Sequence, residues 1–183
     1  MNNYYRLQYV VVFSDVIDFG ELGFLLNRFP LLTTFEQCIV DSAAMPTEIE
    51  SAEYKRIKRI ELVMNCGPSL AGIALYVLSR ECPMLRSLTI WSRPRSRTSY
   101  VSIVAHWLKN LEALAFYGCF ELASEDLVWT LRGRDRLREL CISAMSNCFD
   151  PAVVAAVPDS IERLQLKSTR LLIRSPQKYN ECL

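Results

Sequence analysis

Apolar residues recur in this chain as triplets at positions 1, 4 and 6 of a unit about 26 residues long, and few folds accommodate that pattern. The clearest triplets are Ile57/Ile60/Leu62, Leu85/Leu88/Ile90, Leu111/Leu114/Phe116, Leu137/Leu140/Ile142 and Ile161/Leu164/Leu166. Two earlier units read Tyr4/Leu7/Tyr9 and Leu32/Phe35/Gln37, in which Gln37 is polar. The seven starting residues lie 28, 25, 28, 26, 26 and 24 residues apart. The two-residue step from position 4 to position 6 is the step of a strand. One face of each strand is therefore buried, and positions 3, 5 and 7 point the other way.

The segments between strands carry helical spacing. Leu70, Ile73, Ala74, Val77 and Leu78 follow Pro68-Ser69 as a single stripe, with Ser69 as the expected N-cap. Ser124 is placed to cap a short helix bearing Leu127, Val128 and Leu131. Asp150-Pro151 supplies a cap and a proline at the first helical position, ahead of Val153, Val154 and Val157. Leu22, Phe24–Leu26 and Phe29 predict a further helix, and so do Tyr100, Ile103, Val104, Trp107 and Leu108. The joint at 42–54 contains Pro46 and three acids and predicts a short or late helix; Arg93-Pro94-Arg95-Ser96-Arg97 predicts a loop. Strand, turn, helix and return in every unit make the strands parallel, because parallel neighbours require a crossover.

With 183 residues, 51% of them hydrophobic, the chain can build one continuous core. A net charge of +1 gives no overall field toward nucleic acid or an anionic membrane. Seven cysteines without a C-x-x-C pair, and a single histidine, make a zinc site a poor expectation and reduced, mostly buried thiols the better one. Cytoplasmic or nuclear location is expected from that thiol usage.

The units resemble the cysteine-containing class of leucine-rich repeats found in F-box proteins, within the ribonuclease-inhibitor-like superfamily. Leu111–Leu137 is similar to the pattern L-x-x-L-x-L-x-x-C-x-x-L followed by an acidic, leucine-bearing helix. Glu81-Cys82-Pro83-Met84-Leu85-Arg86-Ser87-Leu88-Thr89-Ile90 resembles the C-P-x-L-x-x-L-x-L join of that class, and Phe29–Phe35 repeats the join with Phe in place of Cys. The ninth position departs from the pattern: Asn65 and Cys119 match it, whereas Val12, Val40, Arg93, Met145 and Thr169 do not.

The resemblance implies an α/β leucine-rich-repeat solenoid, a curved right-handed superhelix of about seven repeats with a parallel concave sheet. Its expected extent is residues 1–174, with 175–183 as a loose tail. It also implies a non-enzymatic protein-interaction module that recruits substrates to an F-box-type ubiquitin ligase. No F-box precedes Tyr4, and Tyr4, Tyr5, Tyr9 and Val10–Val12 make a poor cap, so a longer form carrying the ligase-docking element is expected. A GTPase-activating repeat protein using Arg93, Arg95 or Arg97, and a plain assembly scaffold, are the rival expectations.

Candidate binding residues come from the outward rows. At position 7 stand Val63, Trp91 and Tyr117; at position 5, Glu61 and Thr89; at position 3, Arg59, Glu139 and Arg163. An aromatic centre with small neighbours and a charged rim is how protein-binding hot spots are built. No catalytic, cofactor or metal residues are assigned: no carboxylate pair, nucleophile elbow or phosphate loop stands out. His106, between Ala105 and Trp107, is expected to be packed or half-exposed rather than catalytic.

Overall fold

The computed structural model describes residues 8–11, 25, 27–40, 52–64, 68–92, 104, 106–118, 123–144 and 150–168. The expected ninth-position residues Asn65 and Cys119, the Arg93–Arg97 loop and the tail at 175–183 lie outside them.

Among the described residues, seven parallel strands form one sheet: β1 (Tyr9–Val11), β2 (Thr34–Val40), β3 (Arg59–Met64), β4 (Ser87–Ser92), β5 (Ala113–Gly118), β6 (Glu139–Ala144) and β7 (Arg163–Ser168). Their order in the sheet is their order in the chain, so every connection leads to the adjacent strand. The connections carry a 3₁₀ turn (Ala52–Arg56) and helices α1 (Pro68–Glu81), α2 (Ser124–Leu131) and α3 (Pro151–Ala155). Leu25, Asn27 and Arg28, and later Val104, His106 and Trp107, are also helical. The chain is thus an α/β fold on an all-parallel sheet.

One backbone device recurs from strand to strand. The carbonyl just ahead of a strand accepts two N–H donors from the equivalent place in the next unit. Gln8 accepts from Thr33 and Thr34, Thr33 from Lys58 and Arg59, and Lys58 from Arg86 and Ser87. Arg86 then accepts from Glu112 and Ala113, Glu112 from Arg138 and Glu139, and Arg138 from Glu162 and Arg163, at 2.7–3.2 Å throughout. This satisfies polar groups that the sheet ladder has not yet paired, and it keeps successive strands in register.

The core lies beneath the sheet. Positions 1, 4 and 6 from Ile57 through Ile142 are all at most 3% exposed, as are Leu32 and Phe35. β7 is an edge strand and packs less completely: Leu164, expected inside, is 45% exposed.

The register of β1 differs from the expected one. Tyr9 pairs with Thr34, so Tyr9 occupies position 3 rather than position 6; counted along the sequence, the unit then starts at residue 7 rather than 4. The spacing from Leu7 to Leu32 is then 25, matching that from Leu32 to Ile57. A three-residue slip exchanges the two faces of a strand. The Tyr9 ring accordingly sits on the open face, 47% exposed. In β2 the register shifts between Phe35 and Cys38, and Cys38 rather than Gln37 pairs with Leu62. One extra residue in the bulge removes Gln37 from position 6.

Two expected caps also move. Pro68 begins α1, so Ser69 is inside its first turn; the locked φ of proline suits the first helical position. In α2 the capping place is Ala123 with no side-chain bond, and Ser124 is already helical. Asp150 does cap α3, its carboxylate accepting from Ala152 N–H at 2.8 Å, with Pro151 at the first helical position. The buried face of α1 is Ala71, Ala74, Leu75 and Leu78, while Ile73 is 47% exposed. Alanines let the helix backbone approach the sheet closely, and they turn the apolar stripe by one residue from the expected one. Trp107 and Val154, both expected inside, are exposed as well.

The residue three places before each position 1 also repeats: Phe29, Tyr54, Cys82, Leu108, Arg134 and Pro158. Its carbonyl accepts from Leu32, Ile57, Leu85, Leu137 and Ile161 at five of these places. Five members of the series carry no charge; Arg134 is only 4% exposed and is the exception. Its guanidinium donates to the carbonyls of Thr130 (2.7 Å), Leu108 (2.7 Å) and Val104 (3.0 Å). The end of α2 and the preceding helical segment are thereby tied together. Burial holds the guanidinium down to about 10. Cys82, in the same place one unit earlier than Leu108, is a free buried thiol, pushed up to about 12 by burial and secondarily by Glu81.

Candidate functional site

Position alternation leaves one sheet face without a covering layer among the described residues. Across it, β3, β4 and β5 set Val63, Trp91 and Tyr117 in direct register. Adjacent parallel strands are separated by about 4.8 Å, a distance that suits aromatic stacking. The Trp91 and Tyr117 rings stack with centroids 4.4 Å apart and planes inclined by 21°. Trp91 is 41% exposed, unusual for an indole in a strand. Short residues flank the stack: Thr89 and Ala115 share position 5, Ser87 and Ala113 position 3.

Acidic groups approach the stack from the β2–β3 side. Glu61 is half-buried, and burial raises its carboxyl above the usual carboxylate range; a hydrogen bond from Trp91 pulls the other way. The nearby charge of Glu36 raises it further, while Arg59 lowers it. Arg59 is itself paired with Glu36 at 3.5 Å. The Tyr9 hydroxyl donates to the other Glu36 oxygen at 2.7 Å, and this bond is the main reason its phenol is raised.

On the β6–β7 side, burial is the leading reason that Tyr117 is pushed up to about 12, followed by its hydrogen bond with Cys141. The Cys141 thiol continues the chain to Gln165 Oε1 at 3.1 Å. Glu139 and Arg163 are register partners and form an ion pair at 3.6 Å.

The predicted residues therefore fall into two groups. Val63, Thr89, Trp91 and Tyr117 come together with Glu61 and Arg59 on β3–β5, whereas Glu139 and Arg163 form a separate pair on β6–β7. Glu36, in the same outward row as Glu61, joins the first group, and so does Tyr9, whose expected place is inside. The equal spacings from Leu7 to Leu32 to Ile57 are the signal that places Tyr9 on the open face beside Thr34, from which its hydroxyl reaches Glu36. His106 is exposed and packs edge-on against Trp107, with ring centroids 4.5 Å apart.

A stacked, part-exposed aromatic pair beside short residues can bury a partner's side chain. Nothing in this arrangement aligns a nucleophile with a base. No helix among the described residues is long and apolar enough to cross a membrane. Comparison with protein-family models, with curated proteins and with solved structures yields no match.

Proposed function

We propose that the chain is a leucine-rich-repeat solenoid of about seven units whose open sheet face binds another protein, without catalysis of its own. The observation that carries this reading is the exposed Trp91–Tyr117 stack, set among Ser87, Thr89, Ala113 and Ala115. Rigid aromatics in the middle of a face, with charges toward its ends, have the composition of an interface centre. Covering Trp91 removes apolar surface from water at little cost in ordering, because the stack already holds the ring.

Substrate recruitment in an F-box-type ubiquitin ligase is the role we assign to that binding. It rests on the resemblance of Glu81–Ile90 and Leu111–Leu137 to the repeats of those proteins, and fold alone does not fix it.

Photocrosslinking from the full chain tests both levels. A crosslinker replaces Thr89 on the open face or, as control, Met84 in the turn ahead of β4. A partner captured from position 89 and not from 84, in preparations that retain ubiquitin-ligase subunits, supports the whole reading. The same partner without those subunits replaces the ligase role with a plain scaffold. Capture from 84 alone overturns the binding face.

A further inference from the structure

The open-face reading leaves unstated what kind of side chain the partner presents to Trp91. Three features of the site bear on this. Tyr117 covers one face of the indole. The register neighbour on the other side is Val63, whose isopropyl group is too short to cover an indole standing on a sheet. That second face is the open one, and Glu61, two residues before Val63 in β3, is the register partner of Thr89, two residues before Trp91.

The charge balance beside this open face is uneven. Glu36 and Glu61 supply two carboxylates, and Arg59 supplies one guanidinium, which is engaged with Glu36 at 3.5 Å. Among the described residues Glu61 has no ion-pair partner within 4 Å. Half-buried and short of a counter-charge, it sits at the edge of an electron-rich ring.

We infer that the partner enters with a basic side chain, a lysine or arginine of a basic segment, laid over the open face of Trp91 with its charge beside Glu61. A cation there gains the ring quadrupole and the carboxylate together, and both act more strongly in a partly dry site. The aliphatic stem of such a side chain covers Val63 and the small residues, burying apolar surface that a compact anion could not. A polyanion is repelled by the same two carboxylates, so nucleic acid is the wrong occupant.

The inference rests on the proposed binding face, and its test separates the two. In the full chain, Trp107→Phe and Trp129→Phe leave Trp91 as the fluorescent reporter. Blocked tetralysine and tetraglutamate peptides are titrated at low salt, where exposed charges are least screened. Tetralysine should change Trp91 emission saturably and tetraglutamate should not. Glu61→Gln, nearly isosteric, should weaken the tetralysine response about tenfold. Glu61→Lys should shift the preference toward tetraglutamate, with circular dichroism confirming that each variant is folded. A response indifferent to peptide charge, or unchanged in both Glu61 variants, overturns the inference. If tetralysine fails yet a purified partner still requires Trp91 and Tyr117, only the basic anchor is wrong. If the partner ignores both rings, the binding face is wrong as well.

Discussion

The indole of Trp91 lies against the phenol ring of Tyr117 at 4.4 Å, nearly parallel, because residues at the same place in consecutive units are register partners. The contact is a consequence of the repeat. A period of about 26 residues returns the chain to the same height on the next strand, so side chains far apart in sequence become neighbours. Isolated surface aromatics do not achieve this. Holding two rings face to face on a rigid sheet prepares an apolar surface whose ordering cost is already met by folding.

Core and face should respond differently to truncation. Leu114 is 2% exposed on the packed side of β5, whereas Trp91 is 41% exposed on the open side of β4. Leu114→Ala should lower unfolding free energy by about 2–5 kcal/mol. Trp91→Ala should lower it by no more than about 1 kcal/mol, since it removes one stacking contact and a part-exposed ring. Urea denaturation of both variants measures the difference.

Arg134 should behave as a core residue despite its charge. Its fork donates to three backbone carbonyls, those of Thr130, Leu108 and Val104. Arg134→Ala should cost about 2–4 kcal/mol, because it opens a cavity and removes three buried hydrogen bonds to a charged donor. Arg134→Lys should recover only part, since an ammonium cannot reach three separated carbonyls with one planar group. Thermal unfolding of the two variants ranks them.

Glu61 predicts a specific pH dependence. Burial raises its folded-state carboxyl above its unfolded value, so the folded protein holds that proton more tightly. The stability this contributes is complete below the unfolded pKa and is lost as pH rises through the folded one. Parent protein should therefore lose stability relative to Glu61→Gln as pH climbs from the ordinary carboxylate range toward neutrality. Paired urea melts at acid and neutral pH give the sign. An unchanged difference would mean that Glu61 titrates as a fully solvated carboxylate.

The phenol of Tyr117 offers an independent probe of the same face. Pushed up to about 12 by burial, the hydrogen bond with Cys141 and nearby negative charge, it should ionise after ordinary tyrosines. Ultraviolet titration of parent and Tyr117→Phe should differ only in the most alkaline step.

The repeat was legible because it is written in residues that periodicity detects. From Ile57 to Ile142 every expected inward position is buried, and the register pairs are those implied by the spacing. Tyr9 was misplaced because Tyr4, Leu7 and Tyr9 fit the apolar pattern as well as the residues three places on; hydrophobicity alone does not choose a register when both faces offer apolar side chains. Gln37 was read as an inward polar residue because a bulge adds a residue that no pattern announces. Helical spacing predicts Ile73 and Trp107 inside; Ala74 and Leu78 of the expected stripe are buried, but Ala71 and Leu75 join them in place of Ile73. Arg134 is hidden from hydropathy because it is charged; its place in the series Phe29, Tyr54, Cys82 and Leu108 is the sequence signal of its burial. At the candidate site, the rows predicted which residues share the face, and strand spacing predicted that Trp91 and Tyr117 touch. The link from Glu61 to Trp91, and the clustering of Tyr9, Glu36 and Arg59, depend on side-chain conformations that spacing does not specify.

Binding to a purified partner is the most direct test of the central claim that the Trp91–Tyr117 stack is the docking centre. A partner isolated on the full chain is titrated against parent, Trp91→Ala and Tyr117→Ala by calorimetry, with Leu114→Ala as a folding reference. The account predicts that either aromatic truncation weakens binding by about 2 kcal/mol, roughly 30-fold, in proteins that remain folded. Equal affinity for parent and both variants, or unfolding of Trp91→Ala as severe as that of Leu114→Ala, would contradict it.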